Sequence, residues 1–149
     1  MTDKLITISF DEILPIWRNY LWPDRISTIE TNSAMCRTGG YLGSNMETPA
    51  TFFAYMIDRE IAGVNSGHMC NDKEYRSRGL YVFEKFRGKG IGVVLLNATI
   101  AQGRSEKAVL CWSYPRDVSW KTYAKSGFKL TSDFNPSETG NNAYCVYYY

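Results

Sequence analysis

A mixed α/β domain is predicted, built on a mostly antiparallel sheet of about six to seven strands flanked by about four helices. Three observations carry this expectation. Residues 51–57, 61–70 and 76–83 are strand-like runs joined by short polar turns, the pattern of an antiparallel meander. From residue 90 to 104 the pattern changes to helical, with Ile91, Val94, Leu95, Ala98 and Ala101 on one face. Residues 108–114 are strand-like again, and a strand, helix, strand unit over residues 80–114 requires a parallel crossover.

The remaining elements follow from local signals. Ser9 with Glu12 three positions on is a capping-box pattern opening a helix over residues 10–21, with Ile13, Ile16, Trp17, Tyr20 and Leu21 on one face and Pro15 as a kink or a displaced start. Residues 22–48 are mixed, with a short helix predicted near 32–37 and a Gly-rich loop after it, the natural place for a variable binding segment. Gly103 is the expected stop of the central helix. Asp117 is the expected N-cap of a further helix that places Trp120, Tyr123 and Ala124 on one face and ends at Gly127. Residues 128–134 and 143–149 are the last strands, around a loop with Pro136 and Gly140. The aromatic end of the chain predicts either an internal strand or an edge that pairs with a second copy in a homodimer.

Composition sets the class. At 149 residues, 44% hydrophobic and 21% charged, the chain is expected to fold as one domain over 1–149 with one sizeable core. The start has no signal-peptide pattern and the longest apolar run is far short of the ~20 residues of a membrane span, which predicts a cytoplasmic protein without a membrane partner. Four scattered cysteines without a C-x-x-C pair and a single histidine argue against structural zinc and for reduced thiols. Residues 1–60 carry five basic side chains against eight acidic, whereas residues 73–89 carry six against two. The middle of the chain could therefore meet an anion and the first part a cation, or both could be solvated surface.

The stretch FRGKGIGVVLL, residues 86–96, gathers Gly88, Gly90 and Gly92 before the central helix. Backbone N–H groups at a helix N-terminus, the helix dipole, and glycines that let an anion approach the main chain together suit a phosphate or pyrophosphate. Arg87 adds a charged fork and Lys89 a second charge. The spacing is neither that of a P-loop nor that of a dinucleotide-binding turn.

The segment LYVFEKFRGKGIGVVLLNATI resembles the acyl-CoA-binding motif of the GNAT superfamily of N-acetyltransferases, a strand of the form L-x-V followed by R-x-x-G-x-G/A, with Arg87, Gly90 and Gly92 at its fixed positions. About forty residues on, WKTYAKSGFKL resembles a second signature, Y-x-K-x-G-F, through Tyr123, Lys125, Gly127 and Phe128. The resemblance implies a GNAT-like sheet and transfer of an acetyl group from acetyl-CoA, the co-substrate, to a small-molecule or peptide amine in a ternary complex, with no metal. The scattered thiols and lone His68 agree, offering no evident nucleophile and base pair.

It further implies that the pyrophosphate sits on Arg87, Gly88, Lys89, Gly90, Ile91 and Gly92. The pantetheine arm would pair with the main chain of Leu80, Tyr81 and Val82, a backbone N–H near Val82 would polarise the thioester, and Tyr123 would protonate the leaving thiolate. Glu84, His68 or a water chain could remove the amine proton. Arg116 stands where the family often has Asn, so its contact with the cofactor is open. Asp24, Glu30 and Glu47 could hold the amine charge, with Trp22 and Tyr41 covering it. Against an RNA-binding domain, the RNP1 pattern is matched only by Arg78 and Gly79, so no nucleic-acid partner is expected.

Overall fold

The computed structural model describes residues 2–41 and 49–149. Strand β1 (Asp3–Ile8) precedes helix α1 (Phe10–Ile16), and β2 (Thr51–Ile57), β3 (Glu60–Met69) and β4 (Glu74–Val82) form the meander. Helix α2 (Ile91–Ser105), strand β5 (Leu110–Ser113) and helix α3 (Trp120–Lys125) follow, then β6 (Lys129–Leu130), the hairpin β7 (Asn135–Ser137) and β8 (Gly140–Asn142), and β9 (Cys145–Tyr148). The main sheet runs β1-β2-β3-β4-β5-β9-β6. Of its pairings, β4 with β5 is parallel and the others are antiparallel, as the crossover requires.

Alternation along the strands separates two faces. Phe52 and Ala54 of β2 meet Ile13, Trp17 and Leu21, while Phe53 meets Ile91 and Leu95 of α2. The sheet is thus covered by α1 on one face and by α2 on the other, with α3 beside α2 over Tyr75, Cys111 and Cys145.

Several expectations are corrected. Three α-helices, not four, occur among the described residues, and residues 32–37 make no helix. There Cys36 N–H donates to the Gly40 carbonyl at 2.8 Å, closing a turn. The Ser9 capping box forms as expected, but the helix keeps Pro15 inside and widens to a π turn over Trp17–Leu21. Strand β1 and the β7–β8 hairpin were not anticipated, because β1 is an exposed edge with little apolar alternation and the hairpin is polar.

Gly103 does not stop α2. It is buried within it, where a Cβ would lie 2.3 Å from Tyr149 Oη and 2.8 Å from the Tyr75 ring. The helix ends instead at Ser105, closed by Lys107 with φ of 68° through Ala108 N–H to Gly103 O and Lys107 N–H to Arg104 O, a Schellman arrangement. Its buried face carries Leu95, Leu96, Thr99 and Ile100, whereas Val94 and Ala101 are exposed. Asp117 opens a 3-10 turn rather than capping α3, and Ala124 is exposed. The aromatic end takes the internal option: β9 pairs with β5 on one side and β6 on the other.

Candidate active site

The parallel partner of β4 is short. Strand β5 pairs with Glu74, Tyr75 and Arg76, and beyond them β4 continues to Val82 without that neighbour. The gap opens a groove of about 550 Å³ between β4, the N-terminus of α2 and the turn entering α3. That volume lies within the ~300–1,000 Å³ of small-molecule sites.

A bulge shapes the β4 wall. Val64 pairs with Tyr81 but Ser66 with Arg78, so β4 holds one extra residue at this point. Gly79 supplies it, with φ of 82°. The buried Trp17 indole lies against it and donates from Nε1 to the Gly79 carbonyl at 2.8 Å. The π turn after α1 therefore sets the backbone that the groove exposes.

Leu80, Tyr81, Val82, Arg87, Gly88, Gly90, Ile91 and Gly92, eight of the nine residues expected to meet the cofactor, line this groove. Lys89 does not; its ammonium lies 5.7 Å from the Phe86 ring centre. Gly88 and Gly90 have φ of 80° and 78°, and a Cβ on either would project into open space. The first helical bond is Val94 N–H to Gly90 O at 3.2 Å, which leaves the N–H groups at the start of α2 available to an anion. Arg87 Nε donates to Val82 O at 2.8 Å, tying the loop to the end of β4.

The opposite wall comes from Arg116, Val118, Ser119, Thr122 and Lys125. Arg116 and, through the second signature, Lys125 were singled out from the sequence; Val118, Ser119 and Thr122 come from the 3-10 turn and α3, and no residue-type signal marked them. A Cβ on Gly92 would meet Thr122 Cγ2 at 2.8 Å. Gly92→Ala is expected to push α3 away from α2 and weaken acetyl-CoA binding by roughly ten-fold, the effect of about 1.4 kcal/mol of strain, measurable by calorimetry.

Tyr123 is 2% exposed and lines a second, smaller cleft of about 50 Å³, which shares Leu80, Arg116 and Ser119 with the groove. Its hydroxyl lies 3.0 Å from Ser77 Oγ and 3.0 Å from Ser113 Oγ. Asn65 Nδ2 donates at 2.9 Å to both Ser77 Oγ and Thr99 Oγ1, so a buried polar chain crosses from α2 to α3 through the sheet. Burial raises the phenol above its ordinary value, more than the two serines lower it. Tyr123 is therefore neutral across the working pH range, and its match to a thiol is poorer than the bare residue type implies.

Neither carboxylate nor imidazole offered as a base lines either cleft. Glu84 is exposed and begins the 3-10 turn Glu84–Phe86. His68 is buried in β3, where its Nε2 accepts from Ser33 N–H at 3.3 Å and its Nδ1 lies 3.3 Å from Met69 O. Burial, then the charges of Arg76 and Arg78, hold its pKa down to about 3.

That depression carries a pH dependence. Between the folded value and the ordinary 6.5 the unfolded chain binds the extra proton, so the stability contribution is present above pH 6.5 and falls as pH drops toward 3, with a slope approaching 1.4 kcal/mol per unit. Thermal midpoints should decline already between pH 6.5 and 5, above most carboxylate titration, and His68→Gln should flatten that segment.

Two of the acidic residues expected near the amine stand apart from both clefts. Asp24 and Glu30 are exposed and line neither cleft, and Glu47 lies outside the described residues. Trp22 does line the smaller cleft, whereas Tyr41 is exposed. The charged residues that sequence reasoning passed over are Arg76 and Arg78, counted in a basic run with solvated surface as one outcome, yet 8% and 3% exposed. The signal was available in Arg76-Ser77-Arg78, where a period of two puts both arginines on one face of a strand.

Burial also keeps the thiols neutral, with Cys70 pushed up to about 11 and Cys145 to about 12. Among the described residues no group of His, Cys, Asp and Glu could hold a metal, and no helix is long and apolar enough to cross a membrane.

Comparison with known proteins places this architecture. The structure is similar to an IAA acetyltransferase from Bacillus cereus (13% identity, 99% of this chain and 100% of that one, TM-score 0.68). It is similar also to Ard1 from Thermoplasma volcanium (18% identity, 99% and 98%, TM-score 0.66). A third is a GNAT family acetyltransferase from Elizabethkingia anophelis with acetyl-CoA bound (15% identity, 67% and 76%, TM-score 0.60). At these identities the likeness shows the fold. No curated protein matches the sequence. A model of the acetyltransferase (GNAT) family matches residues 13–128, and with the crossover and groove in place the chain belongs to that family of acyl-CoA-dependent N-acyltransferases.

Proposed function

We propose that this protein, acting as one domain, transfers an acetyl group from acetyl-CoA to a primary amine by direct attack in a ternary complex. The observation that supports it most is the splayed β4 edge running into the glycine-rich start of α2. An extended thiol-ester arm needs unpaired strand backbone, and a pyrophosphate needs free N–H groups; the groove offers both in sequence.

In this reading the pyrophosphate rests on the N–H groups of residues 88–92, with the Arg87 guanidinium beside it. The pantetheine arm lies along Leu80, Tyr81 and Val82, and a β4 N–H beyond the bulge polarises the thioester carbonyl. The amine nitrogen attacks the carbonyl carbon, the C–S bond breaks with its electron pair going to sulfur, and the amine proton leaves to solvent. Tyr123, in the smaller cleft that adjoins the groove, donates a hydrogen bond to the developing thiolate, which its raised pKa favours over complete proton transfer.

Calorimetry with acetyl-CoA tests the reading. The natural chain should bind, and Gly90→Asp, which sets a Cβ and a carboxylate in the cradle, should not bind while keeping its circular dichroism. Absence of binding by the natural chain would overturn the proposal.

A further inference from the structure

We infer that the acceptor amine carries a carboxylate, as a free amino acid does, and that this group is held by buried arginines in the cleft beside Tyr123. The inference rests on the acetyl-transfer reading and names the substrate class of that same site.

Arg76 and Arg78 both line the smaller cleft, with Arg116 at its junction with the groove. Arg76 is buried, and its Nε has no hydrogen-bond partner. Among the described residues neither Arg76 nor Arg78 forms an ion pair; the two pairs found join Arg37 to Glu74 and Lys85 to Glu60. Their partners are aromatic faces and a carbonyl: Arg76 stacks 4.9 Å from the Trp112 ring centre, Arg78 lies 5.0 Å from that of Trp17, and Arg78 Nη1 donates to Glu30 O at 2.7 Å. Arg25, over Trp22 at 4.7 Å, adds a further cation. Among the described residues, the acidic side chains that act on this cluster are Glu138 near Arg25 and Glu30 near Arg78, and both are exposed.

Buried guanidinium groups without an anion are costly to fold around, and an unused planar fork matches a carboxylate. The volume of about 50 Å³ is several times the ~10–15 Å³ that holds one water, which suits a carboxylate better than a bulkier anion. The same charges answer the missing base. A cation beside the α-ammonium favours its neutral form, so the amine reaches the thioester ready to attack without a carboxylate or imidazole to deprotonate it.

The test compares L-amino acids with their carboxamides as acceptors, following thiol release from acetyl-CoA at pH 8. The carboxamides are the less basic amines, so a preference for the acids cannot come from free-amine content. The acids are expected to have kcat/KM about 30-fold or more above the carboxamides, the effect of losing one partner of a buried charge pair, and Arg76→Met is expected to collapse that ratio toward one. Carboxamides, or amines bearing phosphate, used as well as the acids would overturn the inference while leaving acetyl transfer standing.

A second measurement needs no turnover and no variant. Tryptophan fluorescence of the natural protein with CoA present, titrated with N-acetyl amino acids and with N-acetyl amino acid amides, should report saturable binding of the acids alone. No binding of the acids, or equal binding of both, would overturn the inference. Failure of acetyl-CoA itself to bind would instead remove the transferase reading.

Discussion

Gly79→Ala is expected to lower stability by about 3 kcal/mol or more, the sum of a left-handed backbone imposed on a residue with a Cβ and overpacking against a buried ring. The Cβ would lie 2.3 Å from the Trp17 indole, and φ there is 82°. Against a total stability of ~5–15 kcal/mol, that loss shifts a large share of the chain toward unfolding near its melting range. Thermal and urea unfolding would measure it. Trp17→Phe in the same chain should restore part of the loss by relieving the ring contact, though not the strained φ. A midpoint unchanged in Gly79→Ala would mean that the bulge can move away from Trp17, and the link from the π turn to the groove would be lost.

Tyr123→Phe is expected to reduce kcat on the order of 10²-fold or more, with KM for acetyl-CoA little changed, because the hydrogen bond acts only as the thiolate develops. The substitution also removes one member of a buried polar chain and leaves Ser77 and Ser113 short of a partner, which costs about 1–3 kcal/mol of stability. The two effects separate by temperature: the stability loss disappears from rates measured well below the midpoint, while a catalytic loss persists. The pH profile separates them further. With its phenol held above the ordinary 10, the natural enzyme should show no decline up to pH 9.5 from loss of the Tyr123 proton. A Tyr123→Phe enzyme with full kcat at low temperature would make this residue structural.

The meander, the crossover and the glycine-rich turn before α2 were legible because each depends on local pattern. Alternating residues make strands, a 3.6-residue period makes α2, and glycines at 88, 90 and 92 mark a loop with φ positive at two of them. Eight of the nine residues expected to meet the cofactor line one groove for the same reason: they are contiguous along β4 and the start of α2. Gly103 and Gly79 show where local signals mislead. The first imitates a helix stop yet provides a close packing site for Tyr75 and Tyr149; the second imitates part of a nucleic-acid motif yet forms a bulge under Trp17.

What this sequence determined by itself was the order of elements from β2 to α3, the glycine-rich turn before α2 and the two signatures of its family. The tertiary structure alone decided the state of the charges. A run of basic residues reads the same whether solvated or buried, and only the placement of Trp17, Trp22 and Trp112 over Arg76 and Arg78 turns it into a desolvated cationic cleft. Burial depends on contacts between segments distant in sequence, and so do the neutral His68 and the raised Tyr123 phenol, since each reflects what surrounds a group rather than which group it is.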